Sequence, residues 1–401
     1  MNKELNIIQS IEKDLLRGVE LSFYREDFKN IDWSNNALGV FGERGVGKTT
    51  MLLQKRKETE GGLYFSADNS IIRSKGLFLF VHYCYDNFDI RHFFIDEIFR
   101  YNHWQQELKN CIDSLPGAKI VFSGSSSMAL YDGVVDLWRR VYDYHMNGLS
   151  FREYLFFKYR ISLPRLTLEE LLKNHQKYSV AYSLEFKERY FEEYCKQWVY
   201  PFGLTLSFDS FINRLIKTLD RVIIEDLPYI QDFRVQSLDK LSKLFYFIAN
   251  TTPSELSILS LSQKIGIDKN VVDNAIFLLS KIGVIHTVQK WEKLSEKVRK
   301  EFKIFLGNTN QYFVYNNNPP TDTLREAFFV NEMKKLKNST LTVPGGKDFW
   351  LQYQGAMYFF EIGGTRKNIS HYPLGTWIIK DDIRVSENSQ IIPLWLFGFL
   401  S

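Results

Sequence analysis

The sequence predicts an α/β fold: a parallel sheet wrapped by crossover helices, then a helical stretch and a second α/β region. Three observations predict it. Short apolar runs alternate with helical stretches up to about residue 160, the pattern of parallel strands joined by helices. A glycine-rich loop joins the first apolar run to a helical segment. The composition is globular, with 45% hydrophobic and 24% charged residues in 401, which excludes wholesale disorder and, at about 100–200 residues per domain, predicts two to four domains. The net charge of +4 is too small to argue for nucleic acid. Aromatic residues reach 16%, enough for large cores and too many for any single ring to mark a site.

The elements follow in order. Residues 1–34 read as a helical lead-in of mixed charge. Ala37–Phe41, Leu63–Phe65, Phe93–Ile95, Lys119–Phe122 and Tyr144–Leu149 are strand candidates, most of them separated by helical patterns. Residues 165–235 turn helical. Residues 238–290 read as three short helices and a hairpin-like strand, GVIHTVQ. From 304 onward, strands surround one helix, TLREAFFVNEMKKL, and end on IIPLWLFGFL, read as a strand. The basic-rich run 290–303 is the candidate linker; it is read as a solvated face before a phosphate contact. Cys84, Cys111 and Cys195 lie far apart and predict neither a disulfide framework nor a metal pair. None of the seven His stands four residues from another, which argues against a His metal site. The charged start lacks an apolar signal region and no uncharged apolar run reaches 18 residues, so a cytoplasmic protein with no membrane partner is expected.

Chemistry concentrates in Gly42-Glu43-Arg44-Gly45-Val46-Gly47-Lys48-Thr49. The pattern GxxxxGK[ST] stands between an apolar run and a helical one, the strand–loop–helix setting of a P-loop (Walker A). Gly42, Gly45, Val46, Gly47, Lys48, Thr49 and Thr50 are the candidate nucleotide contacts: glycines let backbone N–H groups turn inward at a helix N-terminus. Lys48 would reach the β and γ phosphates, and the Thr49 hydroxyl would ligate Mg2+. Phe93-Phe94-Ile95-Asp96-Glu97 reads as the matching acidic strand (Walker B). There Asp96 would hold Mg2+ and Glu97 would orient and deprotonate the attacking water. The Glu argues for ATP hydrolysis beyond binding. The strand Lys119–Phe122 ends in small polar residues through Ser126, and Ser125, with Ser123 as alternate, is the candidate between the γ-phosphate and Asp96. Arg139 and Arg140 follow on an expected helix, where an Arg could act as a finger, in cis or from a neighbouring subunit, or the two form a solvated basic pair.

The series GVFGERGVGKTTML, LYFSADN, HFFIDEI, Trp104, KIVFSGSSS and LWRRVYDYHMNGLSFREYL resembles the AAA-type ATPases of bacteria and archaea in which the ATPase precedes a winged helix and a restriction-nuclease-like domain. The resemblance implies a AAA+-like parallel sheet over residues 1–160, a helical lid over 161–237, a winged helix over 238–290 and a PD-(D/E)xK nuclease-like domain over 291–401. It also implies ATP and Mg2+ as cofactors, and Arg140 as the finger candidate. On the second helix of the winged-helix segment, Lys269, Asn270 and Asn274 suit DNA contact while Asp268 and Asp273 oppose it, so packing and DNA reading both stay open. The nuclease match places Glu326, Asp348 and Glu361 at the acidic positions, but Gly363 where a Lys is needed, with Lys367 beyond a Gly-Gly step; cleavage is not expected. The functional expectation is a Mg-dependent ATP-hydrolysing switch that rearranges the C-terminal modules. The alternatives are an ATP-gated DNA-binding protein, or a homo-oligomer closed by nucleotide with little turnover; a DNA or protein partner is open.

Overall fold

The computed structural model describes residues 1–125, 136–226, 238–291, 301–344, 348–364, 375–386 and 388–400. Chain contacts divide it into one unit of residues 1–147 with 219–234, and a second of 148–218 with 235–401.

In the first unit the lead-in supplies α1 (Asn2–Arg17) and α2 (Glu26–Asn30), and then strands and helices alternate: β1 (Ala37–Phe41), α3 (Lys48–Glu58), β2 (Gly62–Ser66), α4 (Ser70–Lys75), α5 (Leu77–Phe88), β3 (His92–Asp96), α6 (Trp104–Ser114), β4 (Lys119–Gly124) and β5 (Tyr142–His145). Among the described residues these strands form one all-parallel sheet in the order β2-β3-β4-β1-β5. β1 and β4 are buried from end to end apart from Lys119, as expected of strands covered on both faces. Their two faces are packed separately: Phe41, Phe65, Phe93 and Phe122 lie in one core, and Val40, Tyr64, Phe94 and Val121 in the other. α1 is tied to the sheet through the buried carboxylate of Glu12, which accepts from Arg56 Nε at 2.6 Å and from the backbone N–H of Tyr64 at 2.6 Å.

The strand order matters for function. β4 lies between β1 and β3, so the loop after β1 and the acids after β3 face one another across the C-terminal end of β4. Open parallel sheets bind ligands at such a switch in strand order.

The second unit begins with helices α7 (Phe151–Tyr159), α8 (Leu168–Ser183), α9 (Arg189–Gln197) and α10 (Phe208–Arg221), of which residues 219–221 count with the first unit. It continues with α11 (Leu238–Asn250), α12 (Ile258–Ile265), α13 (Lys269–Lys281), β6 (Ile285–Lys290), β7 (Phe302–Leu306), α14 (Thr309–Tyr315) and α15 (Thr321–Lys334). It ends with β8 (Ser339–Val343), β9 (Phe349–Tyr353), β10 (Ala356–Gly363), β11 (Thr376–Lys380), β12 (Ile391–Pro393) and a 3-10 helix, Leu394–Phe399. The described strands make one mixed sheet, β12-β11-β10-β9-β8-β6-β7.

Four expectations are corrected here. The boundary at 290 does not separate two sheets: β6 pairs antiparallel with β7 and parallel with β8, so the candidate linker joins two neighbouring strands. Lys290 at its start is held by Glu255 at 2.8 Å and Glu301 at 2.7 Å; residues 292–300 lie outside the described residues. The segment expected as a lid over 161–237 does not fall in one unit: residues 161–218 cluster in the second and 219–234 in the first, and within the second unit the Asn310 side chain bonds Val199 N–H at 2.9 Å and the carbonyls of Tyr194 at 3.1 Å and Cys195 at 2.8 Å. The strand expected at Tyr144–Leu149 is instead Tyr142–His145. The final apolar run is a strand only over Ile391–Pro393.

Candidate nucleotide-binding site

The loop after β1 closes on itself through positive-φ glycines, with φ of 151° at Gly42, 90° at Gly45 and 106° at Gly47. A Cβ on Gly42 would stand 2.2 Å from the Met146 carbonyl oxygen, so only glycine fits where the loop leaves the sheet. Gly47 caps α3 and aims that helix N-terminus at the loop, a ready anion site. Val46 is buried and pins the loop to the core. Its carbonyl accepts from the buried Arg25 at 2.9 Å, and Arg25 also bonds the Asn147 carbonyl at 3.0 Å and pairs with Asp27 at 2.9 Å. Arg25 thus braces the loop from the lead-in segment; no local sequence pattern marks it.

Lys48 folds back along the loop, its Nζ donating to the carbonyls of Gly42 at 2.7 Å and Glu43 at 2.8 Å. Thr49 and Thr50 open α3 and are exposed. Thr49 Oγ1 donates to Asp96 Oδ2 at 2.7 Å, which joins loop and acidic strand directly. Asp96, buried at the end of β3, also accepts from Tyr64 Oη at 2.9 Å and from Ser123 Oγ. Burial, reinforced by the Asp96 charge and hydrogen bond, pushes the Tyr64 hydroxyl pKa far up, so it remains a donor.

Glu97 follows in the left-handed region, φ 53° and ψ 41°, a strained backbone state for a non-glycine residue of the kind that clusters at working sites. Its N–H donates to Ser123 Oγ at 3.1 Å and to Asp96 Oδ1 at 3.1 Å. Its carboxylate Oε2 lies 3.2 Å from Arg100 Nε and 3.6 Å from a terminal guanidinium nitrogen of Arg44, and Arg100 is 3.6 Å from Asp68. Behind the site, Phe99, Trp104, Phe122 and Phe41 pack ring on ring, with centroids 4.9–6.3 Å apart.

The structure therefore brings together Lys48, Thr49, Asp96 and Glu97. It places Ser123, the alternate, on Asp96, whereas Ser125 lies past the end of β4 in a bend: the strand stops at Gly124, and the earlier serine of the same parity holds the position. Ser126 lies outside the described residues. Arg139 and Arg140 stand in a turn, not the expected helix. Arg140 is paired with Asp113 at 2.8 Å and Asp136 at 3.4 Å. It precedes β5, whose Tyr142 pairs with Leu38 near the start of β1; the loop leaves β1 at its other end, about 10 Å or more along the strand.

The donor set suits magnesium. Mg2+ takes hard oxygen ligands, one or two from the protein, and completes its shell with water and phosphate oxygens; the Thr49 hydroxyl and Asp96 carboxylate, already in mutual contact, are such a pair. Among the described residues no cluster of three or more His, Cys, Asp or Glu could hold a metal by itself.

The C-terminal residues singled out from sequence also meet. Lys303 Nζ lies 2.9 Å from Glu326 and 3.8 Å from Asp348, and Asp348 Oδ2 accepts from Ile362 N–H at 2.8 Å. Glu361 is buried. Gly363 pairs in register with Lys380 on β11, so a buried lysine from the next strand occupies the same face. Lys367 lies outside the described residues. In α13, Asp268 is the N-cap, accepting from Asn270 N–H at 2.9 Å. Lys269, Asn270 and Asp273 are exposed and Asn274 is half-buried.

Residues 34–155 match the family model of an AAA domain. That match spans the loop, the acidic strand and the serine of the site just described, which are thus similar to those of an AAA domain. Residues 207–310 match a domain of unknown function (DUF8612). The uncharacterized protein MJ1637 of Methanocaldococcus jannaschii is 29% identical over 282 residues, 66% of this chain and 59% of that relative; the match spans less than two thirds of the relative's length. Among solved structures, AMPPCP-bound DnaA from Aquifex aeolicus aligns over 64% of this chain and 84% of its own at 14% identity and a TM-score of 0.30. A DNA replication initiation factor aligns over 68% and 88% at 13% identity and 0.26. Among the described residues no helix is long and apolar enough to cross a membrane.

Proposed function

We propose that this chain is a Mg-dependent ATPase of the AAA type in which hydrolysis at the first unit rearranges the C-terminal modules. The observation that carries the reading is the convergence of Thr49 and Ser123 on Asp96, with Glu97 beside it. Loop N–H groups and Lys48 bind the phosphates, and the α3 N-terminus favours their charge. Thr49 and Asp96 hold Mg2+, which when bound neutralises charge on the phosphates. Ser123 fixes the Asp96 carboxylate and the Glu97 backbone, and Glu97 orients and deprotonates water. Arg140 acts, if as a finger, from a second copy of the chain. The second unit serves as the moved body: its three-helix segment with β6, residues 238–290, is read as a winged helix, and Glu326 and Asp348 are already paired from within by Lys303, which favours a binding or assembly role over cleavage.

The test is Lys48→Ala. Without the loop ammonium, ATP affinity or turnover should fall at least about tenfold, the worth of a charged hydrogen bond. Binding and hydrolysis at the parent level would overturn the site assignment.

A further inference from the structure

We propose that Arg44 is a specificity-determining residue that distinguishes triphosphate from diphosphate by exchanging its ion pair with Glu97 for the terminal phosphate. This deepens the ATPase reading and rests on it. Arg44 is the third residue of the phosphate loop, and its guanidinium reaches back 3.6 Å to Glu97 Oε2. Lys48 does the same with the loop's own carbonyls. Both loop cations are thus turned onto protein atoms and must exchange partners when phosphates arrive.

The two arginines at Glu97 differ in what they can give up. Arg100 sits one turn along the chain from Glu97 and is also 3.6 Å from Asp68, while its carbonyl accepts from Arg73 at 3.1 Å. It keeps acidic neighbours whatever Arg44 does. Arg44 rides on the loop that wraps the phosphates, so a terminal phosphate brings it a denser, multiply charged acceptor than one partly exposed carboxylate. Diphosphate ends at the groups that Lys48 and the loop N–H donors serve and offers Arg44 no such exchange. The swap has a second effect: it removes one of the two guanidinium groups flanking Glu97, freeing the carboxylate for water only when triphosphate is bound. Since a ligand shifts an equilibrium only by its differential affinity, the cost of breaking the Arg44–Glu97 pair must appear in triphosphate affinity alone.

The experiment is a binding cycle on the full chain with Mg2+, a non-hydrolysable ATP analogue and ADP, read by titration calorimetry. Glu97→Gln weakens the resting pair, so it should tighten the analogue about two- to fivefold, the worth of a partly exposed ion pair, and leave ADP unchanged. Arg44→Ala should weaken the analogue about tenfold or more and ADP hardly at all; Arg44→Lys should fall between. In the Arg44→Ala background, Glu97→Gln should have no effect. An unchanged affinity in Glu97→Gln, tightening that persists without Arg44, or equal weakening of both nucleotides by the two Arg44 variants overturns the proposal. Failure of the ATPase reading is distinct: there the Lys48→Ala chain would bind both nucleotides like the parent.

Discussion

Asp96 is the residue on which the site turns, since it accepts from Thr49, Tyr64 and Ser123 at once. Two of its partners were singled out as site residues in the sequence; Tyr64 was read only as part of a strand and of the LYFSADN segment. Its role follows from the register that sets Ser66 beside Asp96 on β2 and β3, with Tyr64 two residues earlier on the same face, and register is not written in a single segment. The choice of serine turns on a similar point: Ser123 and Ser125 share parity, β4 ends at Gly124, and it is Ser123 that contacts Asp96. Ser123→Ala should therefore lower Mg-ATP turnover about tenfold, the worth of one hydrogen bond to a charged group, while Ser125→Ala stays within about twofold; steady-state phosphate release on both variants checks it, and the reverse ranking would contradict the assignment. Tyr64 gives a pH signature. Its folded pKa is raised, first by burial and then by Asp96, so its contribution to stability is complete below the unfolded value near 10 and is lost as pH rises beyond it. Tyr64→Phe should cost about 1 kcal/mol at neutral pH and flatten the alkaline loss of stability. Urea midpoints from about pH 7 to about pH 11 measure it, and parallel alkaline curves for parent and variant would refute it.

Among elements, β1 to β4 and α3 were legible because each combines an apolar run with a boundary motif. The last apolar run was not. IIPLWLFGFL is buried almost throughout, and a short, wholly apolar run has no periodicity to separate strand from helix. α14 was missed because its polar opening, Asn308 to Gln311, is held by distant partners: Asn308 and Gln311 both donate to Tyr200 Oη at 3.0 Å. α1 was read as a helix, but its anchor was not. Glu12 stands on its buried side and meets Arg56 and Tyr64 N–H, so Glu12→Ala should destabilise the first unit by about 3 kcal/mol, the cost of leaving a buried partner unpaired. Thermal unfolding followed by circular dichroism reads this out, and a shift within about 1 °C would contradict the anchoring role. The thiols of Cys84 and Cys111 are buried, and burial pushes each pKa up to about 12; they belong to the core, consistent with the absence of a cysteine motif.

For the whole molecule, the sequence marked the first unit sharply and the rest loosely, because a phosphate-loop pattern imposes local spacing whereas the second unit is assembled by long-range pairing. Lys380 shows the limit: it lies beside Gly363 through sheet register, beyond the reach of any motif read along one strand. Lys303 already pairs with Glu326 and stands 3.8 Å from Asp348, and no DNA or RNA cleavage is expected with Mg2+ or Mn2+, with or without ATP. Plasmid and single-stranded substrates test this; cleavage lost on Asp348→Ala or Glu361→Ala would reverse it and make Lys380 the cation of that site. The central claim, ATP hydrolysis at the Asp96–Glu97 site, is tested most directly by phosphate release from the full chain and its Glu97→Gln variant, with ATP binding measured alongside. The account predicts Mg-dependent turnover in the parent and a fall of about 10²-fold or more in the variant, the scale of a lost general base, with ATP still bound. A variant that hydrolyses ATP at the parent rate would contradict it.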